Sequence, residues 1–310
     1  MNLFKYFFVV LTLSICSSCS GGNKSKSSGI QQDTIRAFKL PGLPASLNTP
    51  EMRADYLIKH YWDQVNFADT NYIHHPDITE QAWADYCDLL NHVPLQTAQA
   101  AMKVTILRTE AERKMFDYIT DLADKYLYDP NSPMRNEEFY IPVLEVMMAS
   151  SLLDETEKIR PKARLELAQK NRIGTKASDF TYTLASGKQS QLYQIKSDYT
   201  LFFINNPGCH ACTATIEALK NAPIISQLIK DQKLTVLSLY PDEELDEWKN
   251  HLSEFPSEWI NGYDRTLTIR KESRYDLKAI PTLYLLDANK NVLLKDATTQ
   301  TIEEYLMIRK

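Results

Sequence analysis

The chain has 310 residues, 44% of them hydrophobic and 24% charged, with a formal net charge of −5. This is the composition of a globular chain rather than a disordered one, and the length suits about two domains. The basic residues are scattered rather than grouped, which argues against nucleic acid as a partner and against a basic amphipathic membrane helix.

The chain opens MNLFKYFFVVLTLSICSSCSGG, with one cation at Lys5, an apolar run over residues 6–15, then small residues around two cysteines. An apolar run this short reads as a secretory signal, not as a membrane span. Its end resembles a bacterial lipoprotein signal, in which a cysteine preceded by small residues is lipidated and becomes the first residue of the mature chain. Cys19, preceded by Ser17 and Ser18, fits that role better than Cys16, which follows the bulky Ile15. The resemblance implies a signal over residues 1–19 and a lipid anchor at Cys19 that holds the protein to a membrane on the extracytoplasmic, periplasmic side. Residues 20–47 begin SGGNKSKSSGIQQDT without apolar periodicity and read as a flexible tether.

Residues 48–172 read as an all-α domain. Tyr56, Leu57, Tyr61 and Val65 share one helical face after Pro50. Asp77 with Glu80 three residues on suggests a capping box, opening a helix through Trp83, Cys87 and Leu90. Further helices are expected over 94–107, 110–127, 135–151 and 154–169, with Pro142 and Pro161 interrupting or kinking the last two. No glycine occurs from residue 43 to residue 173. His74, His75 and Asp77 are poor candidates for a metal site, because adjacent histidines do not converge easily on one ion. Cys87, in WADYCDLL, reads as a small buried hydrophobe.

Period and composition change at residue 173. Residues 180–184 alternate, Gly187 marks a turn, and residues 199–205, YTLFFIN, form a continuous apolar run of strand length. A CxxC pair, Cys209 and Cys212, follows at once, then an amphipathic helix split or bent at Pro223. The rest reads as a strand over 234–240, an acidic helix in PDEELDEWKNHLSEF, a strand–turn–strand in IPTLYLLDANKNVLLKDA, and a final helix in TIEEYLMIR. That order is the order of the thioredoxin fold, a central mixed α/β sheet flanked by helices, here over residues 173–310.

ASDFTYTLASGK and YDLKAIPTLYLLDANKNVL resemble the segments that open and close the catalytic half of extracytoplasmic thioredoxin-like proteins of the TlpA and ResA type. The whole chain also resembles Bacteroidetes lipoproteins that join a helical domain of unknown role to such a module. The resemblance implies a cis-proline at Pro281, with Ile280 before it presenting backbone to a substrate chain. It implies protein thiols or disulfides as substrates, a redox partner protein and no cofactor. Four positions depart from the pattern: Ser178 replaces a proline, Gly208 a tryptophan, Ala211 the CxPC proline, and Phe203 the buried acid of thioredoxin.

A CxxC that opens a helix holds the first sulfur over unpaired amides and the positive end of the helix dipole. Cys209 is therefore expected to be the nucleophile and Cys212 the shielded resolving thiol of a thiol-disulfide oxidoreductase, with His210 tuning the pair if protonated. Two other readings compete: a lipoprotein that binds a partner through its helical half and keeps the module as a scaffold, and a metal-binding CxxC. The second lacks further ligands of suitable spacing. A peroxidase is disfavoured because FFINNPGC lacks the proline and threonine expected before a peroxidatic cysteine.

Overall fold

A computed structural model describes residues 37–309. The expected signal, most of the expected tether and the expected lipidation site Cys19 lie outside the described residues.

The helical region begins with α1 (Pro50–His60), where Thr49 accepts the Met52 amide and Pro50 supplies a preset φ. It continues through α2 (Pro76–Leu89), α3 (Leu95–Thr109), α4 (Arg113–Ala123), α5 (Glu137–Ala149) and α6 (Ile159–Ala168). Trp62, Trp83, Tyr86, Met102 and Phe116 are buried in one apolar cluster that joins these helices.

The capping box at Asp77 does not form. His75 stands at the N-cap with no side-chain cap, and Pro76 starts α2 two residues before the expected start, which takes Asp77 into the first turn. Glu80 is used elsewhere, pairing with Lys125 and accepting from Tyr126 Oη at 2.9 Å. The helix expected over 110–127 starts only at Arg113, capped by Glu112, and passes after Ala123 into a π-turn, Asp124–Tyr128.

Neither internal proline breaks its helix. Pro161 lies in the first turn of α6, where its missing amide has no partner to lose. Pro142 is inside α5 and frees the carbonyl of Glu138, four residues back. Gln99 Nε2 from α3 donates to that carbonyl at 2.9 Å, so a neighbouring helix replaces the lost bond.

The second region is a seven-stranded sheet in the order β2–β1–β5–β4–β3–β6–β7. Its strands are β1 (Thr181–Leu184), β2 (Gln189–Gln191), β3 (Tyr199–Ile204), β4 (Leu234–Tyr240), β5 (Ile260–Tyr263), β6 (Thr282–Asp287) and β7 (Val292–Lys295). β3 and β5 lie parallel to β4, whereas β6 runs antiparallel to β3. Its helices are α7 (His210–Lys220), α8 (Pro223–Lys230), α9 (Leu245–Asn250), α10 (Thr268–Lys271) and α11 (Thr299–Ile308). The helix through Pro223 is thus split, while the acidic helix shortens to α9 followed by a 3-10 turn, Leu252–Glu254.

Strand alternation sorts the two faces of the sheet. Leu201 and Phe203 join Ile216, Ile225 and Ile302 of α7, α8 and α11, whereas Phe202 and Ile204 join Tyr182, Ile269 and Tyr275 on the opposite side. β5 and α10 are absent from the pattern legible in the sequence. β5 is the four residues INGY, too short for periodicity, and it exists because β4 and β1 pair with its two edges. A Cβ on Gly262 would lie 2.9 Å from Tyr182 Cδ2, so only glycine lets β5 pass that ring.

Polar contacts join the two regions. Asn171 Nδ2 donates to Arg274 O at 2.7 Å, and Lys170 Nζ donates to Ser273 O at 2.8 Å. Glu137, in the first turn of α5, meets Lys278 Nζ at 3.2 Å. Lys295 Nζ lies 2.5 Å from Glu137 Oε2, as an ion pair outside hydrogen-bonding alignment. Arg135 Nη2 lies 2.5 Å from Asp296 Oδ2.

Candidate active site

β3 delivers the chain to the site. Asn205, buried at its end, donates from Nδ2 to Ser238 Oγ at 2.8 Å and so ties the exit of β3 to β4. Gly208 then takes φ +67°, the left-handed region that glycine enters without strain. This turn sets Cys209 at the N-cap of α7, where its carbonyl accepts the Thr213 amide at 3.0 Å.

The two cysteines are brought together but lie in different surroundings. Cys209 is half-buried, and its Sγ accepts the Cys212 amide at 3.3 Å. Negative charge on that sulfur would be met by an N–H and by the N-terminal end of α7. Cys212 is 3% exposed, packed with Phe203 and Ile216, and its Sγ accepts the Asn206 amide at 3.5 Å. Burial pushes the Cys212 thiol up to about 12; the Asn206 amide opposes that shift, and the neighbouring Cys209 adds to it. Phe203 is fully buried where thioredoxin has its acid, so the cluster around Cys212 is apolar at that position.

His210 is the first residue of α7, exposed and without a hydrogen-bonding partner among the described residues. The Ile280–Pro281 peptide bond is cis. Ile280 packs against the apolar clusters of both sheet faces, and Ile280, Pro281 and Ala211 line one cleft of about 700 Å³. Cys87 stands apart, 1% exposed in the helical core, with burial alone raising its thiol far above the ordinary value. Among the described residues, no group of three or more His, Cys, Asp or Glu side chains is arranged to hold a metal ion.

Some residues near the site escaped sequence reasoning. Arg135, Lys278 and Asp296 line the same cleft, and only the packing of the two regions unites them. On the other flank, a Cβ at Gly208 would lie 3.7 Å from Glu247 Oε1 and 4.0 Å from His251 Nε2. His251 bridges Glu254 at 2.6 Å and Glu247 at 3.0 Å; the Glu254 contact foremost, then Glu247, holds its pKa above the usual value. The i, i+4, i+7 spacing of Glu247, His251 and Glu254 was the available signal.

The strand, the capped CxxC helix and the antiparallel β6 after Pro281 define the class: a thioredoxin-like fold preceded by helices. The chain belongs to the family defined by a domain of unknown function, DUF5106, which matches residues 16–171. A thioredoxin-like protein from Bacteroides caccae is 73% identical in sequence, with a TM-score of 0.87 over 89% of this chain and all of that one. The C-terminal domain of an uncharacterised protein from Bacteroides fragilis is 62% identical over 44% of this chain and 98% of its own, with a TM-score of 0.44. A conserved protein of unknown function from Bacteroides fragilis is 36% identical over 44% of this chain and 98% of its own, with a TM-score of 0.43. No curated protein matches.

Proposed function

We propose that the protein is a thiol-disulfide oxidoreductase of extracytoplasmic, lipid-anchored type, with Cys209 as nucleophile and Cys212 as resolving thiol. The observation that carries this reading is the asymmetry of the pair. A half-exposed sulfur at a helix N-cap accepts the amide of a second cysteine whose own sulfur is buried three residues on.

In the reducing direction, the Cys209 thiolate attacks one sulfur of a substrate disulfide. A Cys209–substrate disulfide forms, and the other substrate sulfur leaves as a thiolate that takes a proton from water. Cys212 loses its proton and attacks Cys209 Sγ, which closes the Cys209–Cys212 disulfide and releases the second substrate sulfur. Two electrons have passed to the substrate, and a dithiol partner protein restores the pair. Oxidation of a substrate dithiol is the reverse sequence.

Ile280 and Pro281 are the proposed substrate contacts, since they line the cleft that reaches the first turn of α7. His210, next to Cys209, is the proposed tuning residue, a cation there favouring the reduced pair. Cys19 is the proposed lipid attachment site and would hold the protein on the periplasmic face of a membrane. Among the described residues no helix is long and apolar enough to cross a membrane.

The test is trapping. Cys212→Ser is expected to accumulate mixed disulfides through Cys209, and the wild-type pair to equilibrate with glutathione between dithiol and disulfide. A pair that does not cycle refutes the reading, and trapping by Cys209→Ser would reverse the two roles. Labelling with a palmitate analogue, lost in Cys19→Ser, tests the anchor separately.

A further inference from the structure

The cleft beside Pro281 has walls of two origins. Ala211, Ile280 and Pro281 form one, and residues 130–133 with Arg135, in the link between the π-turn and α5, form the other. A second cleft of about 520 Å³ shares Pro281, Leu283 and Asp296 with the first, and follows α7 along Ala214, Thr215 and Ala218. Together they make a trough beside the helix that Cys209 caps. From Ala211 to Ala218 it spans about 10 Å at 1.5 Å per helical residue, the length of about three extended residues.

The helical wall is held firmly. Arg135 pairs with Asp296, their side chains 15% and 14% exposed. Ser132 Oγ donates to Tyr126 O at 2.5 Å, and the Asn136 amide to Leu127 O at 3.0 Å. Glu137, two residues beyond Arg135, carries the contacts to Lys278 and Lys295. Asn131 and Pro133 remain exposed.

Resting on the dithiol reading above, we infer that this wall selects the substrate: the trough admits one extended polypeptide segment that carries a cystine, and it excludes disulfides on folded surfaces. A volume of about 700 Å³ falls among sites that enclose a small ligand or a short chain segment, roughly 300–1,000 Å³. Docking of a folded partner needs about 800 Å² of open, matching surface on each side, whereas at Pro281 residues 130–133 of the helical region take up one side of the cleft. Arg135 is paired with Asp296, and Lys278, the other cation of the lining, with Glu137 and Asp276, so selection is by shape and not by substrate charge.

The test is single-turnover oxidation of the pre-reduced full chain in detergent. Three disulfides are compared: hydroxyethyl disulfide, an unstructured cystine peptide of about ten residues, and a small folded domain with one exposed cystine. The peptide is expected to outpace the folded domain by roughly a hundredfold, the penalty of a misplaced reacting atom. Asn131→Trp and Pro133→Trp, at exposed positions, should each slow the peptide about tenfold while hydroxyethyl disulfide stays within about twofold. Pro133→Ala, which trims the wall, should narrow the ratio of peptide to folded domain. Circular dichroism confirms folding of each variant.

If the tryptophan variants spare the peptide, or slow hydroxyethyl disulfide equally, the wall does not select and the inference falls while the dithiol reading stands. Equal rates for peptide and folded domain in the wild type have the same consequence. If the wild type reacts with none of the three, the dithiol reading falls and takes the inference with it.

Discussion

Each region of the molecule buries one thiol: Cys87 in the helical core and Cys212 beneath the sheet. Burial raises both above the ordinary thiol range. Around Cys87 burial is the whole story, and such a thiol behaves as a small hydrophobe. Cys212 sits in the first turn of α7 with its amide on Cys209 and the Asn206 amide on its own sulfur. A reactive pair therefore depends less on how deeply a cysteine is buried than on whether a second sulfur and free amides stand beside it.

The sharpest way to break that contrast is to remove one thiol at a time. Cys209→Ser should lower disulfide exchange at least roughly a thousandfold, as expected for loss of a nucleophile. Cys87→Ala should leave the rate within about twofold, since core thiols are inert. A rate loss in Cys87→Ala larger than its loss of folded protein would erase the distinction between the regions.

The next largest effect concerns the junction. Glu137→Ala leaves Lys278 and Lys295 without their shared carboxylate, and removing one partner of a buried ion pair is destabilising by about 3–5 kcal/mol. Denaturant unfolding should shift from one shared transition toward two, with tryptophans of the helical core (Trp62, Trp83) and of the sheet (Trp259) reporting separately. An unchanged midpoint would mean that the two regions are stabilised independently of this contact.

pH separates the regions more gently. The folded chain keeps the Cys212 proton up to about 12, against an ordinary value of 9.0. Below pH 9 both folded and unfolded chains hold that proton, and the group's contribution is complete. As the pH rises from 9 toward 12 the unfolded chain loses it first, so stability falls over that window. Cys87 acts in the same direction, and Cys87→Ala should flatten part of the decline in titrated unfolding curves. In the mixed disulfide the resolving step should accelerate with rising pH, following the Cys212 thiolate fraction. A pH-independent resolving rate would place the base elsewhere.

The smallest effect tests the helical region alone. Gln99→Ala removes the donor that serves the Glu138 carbonyl freed by Pro142 and should cost about 1 kcal/mol. Glu138 also receives the Arg172 ion pair, so the loss should appear in the thermal midpoint and leave exchange at Cys209 unaffected.

Much of this was legible because it is local. Residues 199–204 announce a buried strand by an unbroken apolar run, Pro223 splits a helix by lacking an amide, and Cys209 falls at a helix start. What escaped was decided by partners remote in sequence. Pro142 kept its helix because Gln99 crosses from α3, whereas Asp77 is a local exception, its cap lost to the adjacent Pro76. β5 forms only because two strands flank it, and Arg135 meets Asp296 across 161 residues of chain.

The sequence by itself determined the class of fold, the order of its elements apart from β5 and α10, and the pair of cysteines that opens α7, because period, turn chemistry and spacing are written residue by residue. Tertiary structure alone decided how far burial raises the Cys212 thiol, that Phe203 packs beside it, and that residues 130–135 of the helical region line the cleft at Pro281. Those outcomes depend on which surfaces exclude water when the two regions close on each other, and no local pattern encodes that.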